Sequence, residues 1–284
     1  MPIFTNKATL SFNGGAVDSN TVTGNFTQTL TADKNALIDT YTEGSTVTYV
    51  ISLTNIGGTA LSGITATDDL GAYLTAGGAT VYPLSYVDGS LAYYVDGILQ
   101  ATPTVTSEAP LVMTGITVPA GGDALLVYQA NTTAFAPLST DSTVVNTVTM
   151  TGGGLAEPII ATETVSTLDA PALSITKSLC PTVVVEDGAL TYTFVIENRG
   201  NTAAVATDNL VVSDTFDPIL TISSVTLNGT PLTEGTEYTY DPATGEFSTV
   251  AGVITVPAAT FPQNPDGSYV TTPGTATLIV NGSI

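Results

Sequence analysis

Residues 43–57 read EGSTVTYVISLTNIG, and residues 186–200 read EDGALTYTFVIENRG. Aligned, they set Tyr49 beside Tyr192, Asn55 beside Asn198 and Gly57 beside Gly200. Both blocks alternate β-branched or aromatic residues with polar ones and end in a turn, the pattern of a half-buried strand. A strand block that recurs makes the chain a repeat, and the repeat governs each later step.

Outward from these blocks the correspondence continues. ITATDDL at 64–70 matches LVVSDTF at 210–216, which aligns Asp68 with Asp214, and ITVPA occurs at both 116–120 and 254–258. Upstream, Lys34 falls opposite Lys177, and the interval between them is the repeat length. The blocks predict one β-sandwich over residues 30–154 and a second over 173–284, with a linker at 155–172.

A third correspondence is out of phase with the other two. NTVTMTGGG at 146–154, the closing strand of the first sandwich, resembles NKATLSFNGG at 6–15. Residues 1–14 thus read as a last strand placed before the first sandwich, followed by a linker hairpin at 15–29. At the other end, TPGTATLIVNGSI matches a penultimate strand. Carrying the Lys34-to-Asn146 interval on from Lys177 puts the equivalent asparagine just past Ile284. The second sandwich is therefore expected to lack its closing strand. A sheet edge left open in this way is a template for strand addition, and residues 1–14 of another copy fit it. The expected contact uses Ile3, Phe4, Asn6, Ala8, Leu10 and Phe12 of the donor strand with Leu278 and Val280 of the acceptor. The competing reading makes TATLIVNG the last strand and leaves the N-terminal segment a loose arm.

Composition narrows the function classes. The chain is 43% hydrophobic and 10% charged, with 27 Gly, 16 Pro, no Trp and a formal net charge of −21. Four basic residues, Lys7, Lys34, Lys177 and Arg199, cannot neutralise a phosphate backbone, so nucleic acid is not expected as a partner. No run of 18 apolar residues or basic-then-apolar leader is visible, so neither membrane insertion nor a signal peptide is read here. The single Cys180 rules out an internal disulfide framework; a buried thiol is expected, with an intermolecular disulfide as the other possibility.

The segments YTEGSTVTYVISLTNIG, TDDL and VVNTVTMTGGG resemble the conserved-repeat domain of unknown function found in bacterial and archaeal surface proteins. The resemblance covers residues from about 30 to 284. It implies immunoglobulin-like sandwiches in extracellular arrays. The full expectation is thus an all-β chain of two tandem immunoglobulin-like β-sandwiches, the C-terminal one lacking its last strand, plus an N-terminal donor strand. Completion by an N-terminal extension is similar to donor-strand pili and endospore appendages. By analogy with these, the chain is expected at a cell or spore surface as a homopolymer.

The absence of His excludes imidazole metal sites and His-based triads, and one Cys excludes thiolate clusters. Asp68 and Asp69, adjacent on a strand, point to opposite faces and do not make an acid-base pair. Asp68, Asp69, Asp214 and Asp217 are the acids a calcium site would draw on, but no EF-hand-like spacing occurs. No metal, cofactor or enzymatic activity on an external substrate is expected.

The most specific chemistry is an autocatalytic isopeptide bond. Pilin domains that crosslink themselves carry Lys on the first strand, Asn on the last and a carboxylate between. Lys34, Asp68 and Asn146 match that order. Lys177 and Asp214 repeat the first two, with Asn6 of a neighbouring subunit as the third. Burial would favour a neutral amine and a protonated carboxyl in such a trio. The competing reading makes both lysines solvated strand-edge charges. A different class of function, a surface adhesin or glycan-binding module with a host or cell-surface ligand, would need an exposed aromatic cluster. Tyr82, Tyr86, Tyr93 and Tyr94 are its candidates, although LAYYVDGILQ also reads as an ordinary hairpin.

Overall fold

The computed structural model describes residues 3–25, 27–185 and 187–284. Met1, Pro2 and Phe26 of the expected donor strand and linker, and Glu186 of the second repeat block, lie outside the described residues. Among the described residues the regular elements are β-strands, apart from one turn of 3-10 helix at Ala206–Asp208. None of the described helices is long and apolar enough to cross a membrane.

The first four strands are β1 (Ile3–Asn6), β2 (Thr9–Phe12), β3 (Gly15–Asp18) and β4 (Val22–Asn25). Next come β5 (Leu30–Ala36), β6 (Thr40–Tyr41), β7 (Thr46–Asn55), β8 (Leu61–Asp68), β9 (Tyr73–Leu74), β10 (Thr80–Val81) and β11 (Leu84–Tyr86). They continue with β12 (Ala92–Val95), β13 (Ile98–Gln100), β14 (Thr104–Glu108), β15 (Leu111–Val118), β16 (Asp123–Thr132), β17 (Thr143–Gly152) and β18 (Ile159–Thr167). The rest are β19 (Leu173–Cys180), β20 (Ala189–Asn198), β21 (Ser213–Thr215), β22 (Thr221–Leu227), β23 (Thr230–Pro231), β24 (Tyr238–Asp241), β25 (Glu246–Thr249) and β26 (Gly274–Ser283).

Two compact units divide the chain. One comprises Met1–Pro137, Thr143–Ser166 and Pro265–Ser268; the other comprises Leu138–Ser142, Thr167–Asn264 and Tyr269–Ile284. In the first unit, one sheet runs β13-β12-β16-β7-β5, with β11 also on β16, and the other runs β14-β15-β8-β17-β18-β6. The period-2 pattern of TVTYVISLTN becomes strict alternation: Val47, Tyr49, Ile51, Leu53 and Asn55 of β7 are buried and their neighbours are not. Leu126 and Tyr128 of β16, Ile64 and Ala66 of β8, and Val144, Val148 and Met150 of β17 complete the core.

Among the described residues the second unit repeats this order as far as the strand equivalent to β8. Its sheet β23-β22-β26-β20-β19 matches β13-β12-β16-β7-β5, and β24-β25-β21 matches β14-β15-β8. Past β8 the first unit continues into β17 and β18. Among the described residues no strand pairs with the corresponding edge of β21. The uncovered region is measurable: Leu30 on β5 is 0% exposed, whereas its counterpart Leu173 on β19 is 43% exposed. Leu190, Phe194 and Ile196 of β20 pack with Leu278, Val280, Phe216 and Phe247 into a core of the unit's own.

The residues read as a donor strand and a separate linker form one hairpin. β1 pairs with β4, setting Asn6 opposite Val22, and β2 pairs with β3, setting Leu10 opposite Val17. Every residue of β1, β2 and β3 is exposed.

Three further expectations are corrected. Cys180 is exposed, because it closes the edge strand β19 on the side away from the inward-pointing Leu173, Ile175 and Lys177. Leu278 and Val280 are buried in the second unit's core, and their strand is paired on both sides, by β20 and by β22. The free edge expected beside them belongs to β21, since Thr221–Leu227 takes the second edge of β26. The tyrosines proposed as a binding cluster do not form an exposed one: Tyr86 and Tyr93 are buried, and the Tyr93 hydroxyl bonds the Thr117 carbonyl. LAYYVDGILQ is the simple hairpin β12–β13, turning on Asp96 and Gly97, both at positive φ.

Candidate functional site

The structure brings Lys34, Asp68 and Asn146 together in the first unit's interior. Lys34 lies on β5 opposite Ile51, Asp68 ends β8, and Asn146 sits on β17, two residues before Val148, which faces Asp68 across the ladder. β5 belongs to one sheet of the unit and the paired strands β8 and β17 to the other, so the trio bridges the sandwich.

Lys34 Nζ donates to Asp68 Oδ2 at 2.7 Å, and neither side chain has any solvent exposure. Two residues that the sequence reading did not assign to the site complete it. The Tyr128 hydroxyl donates to the same Asp68 oxygen at 2.6 Å and accepts from Asn146 Nδ2 at 3.2 Å. Tyr49 places its ring 4.9 Å from Lys34 Nζ and stacks on Tyr128 with centroids 5.5 Å apart. The recurrence of Tyr49 at Tyr192 was a visible signal; Tyr128 had none beyond its inward parity in DALLVYQA.

The electrostatics suit amine chemistry. Burial pushes the Lys34 pKa below its ordinary value, against the upward pull of the Asp68 charge and hydrogen bond. Burial likewise pushes both phenols, Tyr49 and Tyr128, above the usual range, so they stay protonated. Asn146 Oδ1 and the Tyr49 hydroxyl are left without a hydrogen bond of ordinary geometry. An unpaired buried carbonyl costs about 1–3 kcal/mol, so this amide is poorly satisfied where it stands. The site thus sets a buried amine, the aspartate it donates to, and a buried carboxamide side by side.

The second unit holds the same pair without the third member. Lys177 Nζ bonds Asp214 Oδ2, and the ammonium lies over the rings of Tyr192, Phe216 and Phe194 at 4.5, 5.4 and 5.5 Å. Here the lysine side chain is 40% exposed and the aspartate 17%. The solvated-charge reading of the lysines thus fails for Lys34 and applies only in part to Lys177.

Asn6 lies in the exposed hairpin. Alternate residues Phe4, Asn6, Ala8, Leu10 and Phe12 share one face of it, with Leu10 70% exposed. The opposite face is polar, with Lys7 Nζ 2.6 Å from Asp18 and Thr9 bonded to the same carboxylate. Ile3 belongs to that second face, so it does not share the side of Phe4 and Leu10. Asp69 accepts from the backbone of Gly71 and Thr147, which makes it a loop brace. Among the described residues no group of three acidic, Cys or His side chains could hold a metal.

No family model matches the chain, and no curated protein sequence matches it. Solved structures overlap it loosely. A family 123 glycoside hydrolase from Clostridium perfringens is 10% identical, over 50% of this chain and 27% of its own length, with a TM-score of 0.32. The pilus backbone protein RrgB of Streptococcus pneumoniae is 16% identical over 90% of this chain and 51% of that one, with a TM-score of 0.35. BcpA, the major pilin subunit of Bacillus cereus, is 12% identical over 98% of this chain and 74% of that one, with a TM-score of 0.36.

Proposed function

We propose that this chain is the structural subunit of an extracellular filament on a cell or spore surface, and that it polymerises head to tail. The N-terminal hairpin of one copy completes the second unit of the next. The observation that carries this reading is the match of strand orders, in which β14-β15-β8 continues into β17-β18, whereas among the described residues no strand pairs with the corresponding edge of β21. The hairpin β1–β4 resembles β17–β18 in the sequence of its first half and in its antiparallel pairing. NKATLSFNGG corresponds to NTVTMTGGG, and Asn6 pairs with Val22 as Asn146 pairs with Glu163.

Docking would cover apolar surface that the free hairpin exposes. Leu10, Phe12, Val17 and Val22 are each more than half exposed in the free hairpin. Burying such side chains contributes about 1.5–3 kcal/mol each, and pairing along β21 adds backbone hydrogen bonds. These gains oppose an association cost of roughly 4–15 kcal/mol. The contact joins different surfaces on the two partners, so it need not close and extends a filament.

Within each subunit the trio Lys34, Asp68 and Asn146 forms an amide between Lys34 Nζ and Asn146 Cγ, releasing ammonia. A filament bearing load gains from a sandwich that cannot be pulled open. The adhesin alternative loses its main support with Tyr86 and Tyr93 buried.

Negative-stain microscopy tests the reading directly. The full chain should form filaments on concentration, and a variant lacking residues 1–14 should remain monomeric. Filaments from the truncated chain, or a full chain that stays monomeric at high concentration, would overturn it.

A further inference from the structure

We propose that Lys177 and Asp214 are one half of a covalent joint whose other half is Asn6 of a second copy of this chain. The inference rests on the strand-exchange reading above and adds a bond to it.

The first unit supplies the finished version of the joint. Val148 stands opposite Asp68 in the β17–β8 ladder, and Asn146 is two residues before it on the same buried face. Transferred by the match of NKATLSFNGG to NTVTMTGGG, Ala8 stands opposite Asp214 and Asn6 takes the place of Asn146. The residues that alternate with Asn6 then replace an inward row: Phe4 for Val144, Ala8 for Val148 and Leu10 for Met150. In the first unit all three of those positions are buried, at 2%, 0% and 0% exposure.

The receiving half is already assembled. Lys177 is held by Asp214 and by the face of Tyr192, as Lys34 is held by Asp68 and Tyr49. What differs is cover, with the Lys177 side chain 40% exposed against 0% for Lys34. A docked hairpin supplies that cover and the carboxamide together. Water leaves the site only when the partner arrives, so the reaction is confined to assembled subunits.

The step balances without a cofactor or oxidant. Asp214 accepts a proton from the Lys177 ammonium, and the freed amine attacks Asn6 Cγ. The Asn6 Cγ–Nδ2 bond breaks as the Lys177 Nζ–Cγ bond forms, and the amide nitrogen departs as ammonia with protons passed on through Asp214. One partner is missing from this site: the strand registers put Val280 opposite Tyr192 where Tyr128 stands opposite Tyr49. Asp214 therefore lacks the phenol that Tyr128 gives Asp68, and the intersubunit bond forms more slowly than the one within the first unit.

Filaments of the full chain, boiled in detergent and run on a denaturing gel, provide the test. The expected result is a ladder of dimers, trimers and longer species, with a linked peptide pair joining Lys177 to Asn6 at a mass about 17 Da below the sum of its parts. Filaments assembled from Asn6→Ala or from Lys177→Ala should dissolve fully to monomers under the same treatment. Wild-type filaments that release only monomers would overturn the covalent joint while leaving strand exchange standing. A ladder that persists in Asn6→Ala would do the same. Failure of the full chain to form filaments at all would overturn both.

Discussion

Lys34 Nζ lies 2.7 Å from Asp68 Oδ2 in a site that water does not reach. Buried ion pairs rarely stabilise more than the apolar packing that could replace them, because desolvation offsets the attraction. As reactants, however, an amine and a proton acceptor at this distance next to Asn146 have a use. The purified chain should therefore weigh about 17 Da less than its sequence mass, the loss of one ammonia. Lys34→Ala and Asn146→Ala should each restore the full sequence mass. Since a crosslink enclosing a loop of this size contributes about 4–5 kcal/mol by the loop-entropy estimate, both variants should unfold at markedly lower denaturant. A wild-type mass equal to the sequence mass would remove the bond within the first unit.

The pH dependence of Asn146→Ala has a definite sign. In this variant the amine of Lys34 persists, and burial holds its folded pKa below the ordinary 10.5. Between the folded value and 10.5 the unfolded chain binds more protons than the folded one, so unfolding free energy rises with pH across that window. Lys34→Met in the same background should flatten the rise, since nothing then titrates at that position. Urea titrations at several alkaline pH values measure both. A stability that falls with pH in that window in Asn146→Ala, and not in the double variant, would contradict the burial argument.

Much of this was legible because the chain repeats itself. Asn55 and Asn198 illustrate how far repetition reaches: each side-chain amide donates to the carbonyl of Pro119 or Pro257, the proline of its own ITVPA block. Two sequence matches thus turned out to be one physical brace. Gly57 and Gly200 recur because of space. A Cβ at Gly200 would meet the Ala170 carbonyl at 2.1 Å. Lys34, Asp68 and Asn146 were readable because lysine is scarce enough for its repetition to be informative. Tyr128 was not, since a single inward tyrosine in a strand looks the same whether it packs or bonds a carboxylate. The pairing of β1 with β4 was missed for a similar reason: a one-strand alignment carries no information about whether the strand arrives alone or with a partner. Nor could composition foresee that Thr221–Leu227 would occupy the outer edge of β26 and move the open edge to β21.

The exposure of Leu10 separates assembly from folding. At 70% exposure it contributes little to the free subunit, so Leu10→Asp should change thermal unfolding by no more than about 0.5 kcal/mol. In a docked hairpin the same carboxylate would replace the buried Met150 position and cost several kcal/mol of binding, by the usual penalty for an unpaired buried charge. Size-exclusion chromatography should therefore find a folded, monomeric variant under conditions where the wild type elutes as polymer. Normal polymerisation by Leu10→Asp would mean that this face of the hairpin is not the one that docks.

Residues β1 to β4 should also act when they are not attached. A synthetic peptide spanning residues 1–25, added to the full chain before concentration, competes for the open edge of β21 and caps growing ends. Filament length should fall as peptide concentration rises. The effect should also appear as stabilisation of the second unit, because a ligand that binds only the folded state contributes RT ln(1 + [L]/Kd), about 2.7 kcal/mol at a hundredfold excess over Kd. Peptide with Asn6→Ala should wash off in boiling detergent, whereas the native peptide should remain attached to Lys177. Calorimetry and a denaturing gel read the two effects independently. A peptide that neither shortens filaments nor raises the unfolding temperature would show that the edge of β21 accepts some other strand.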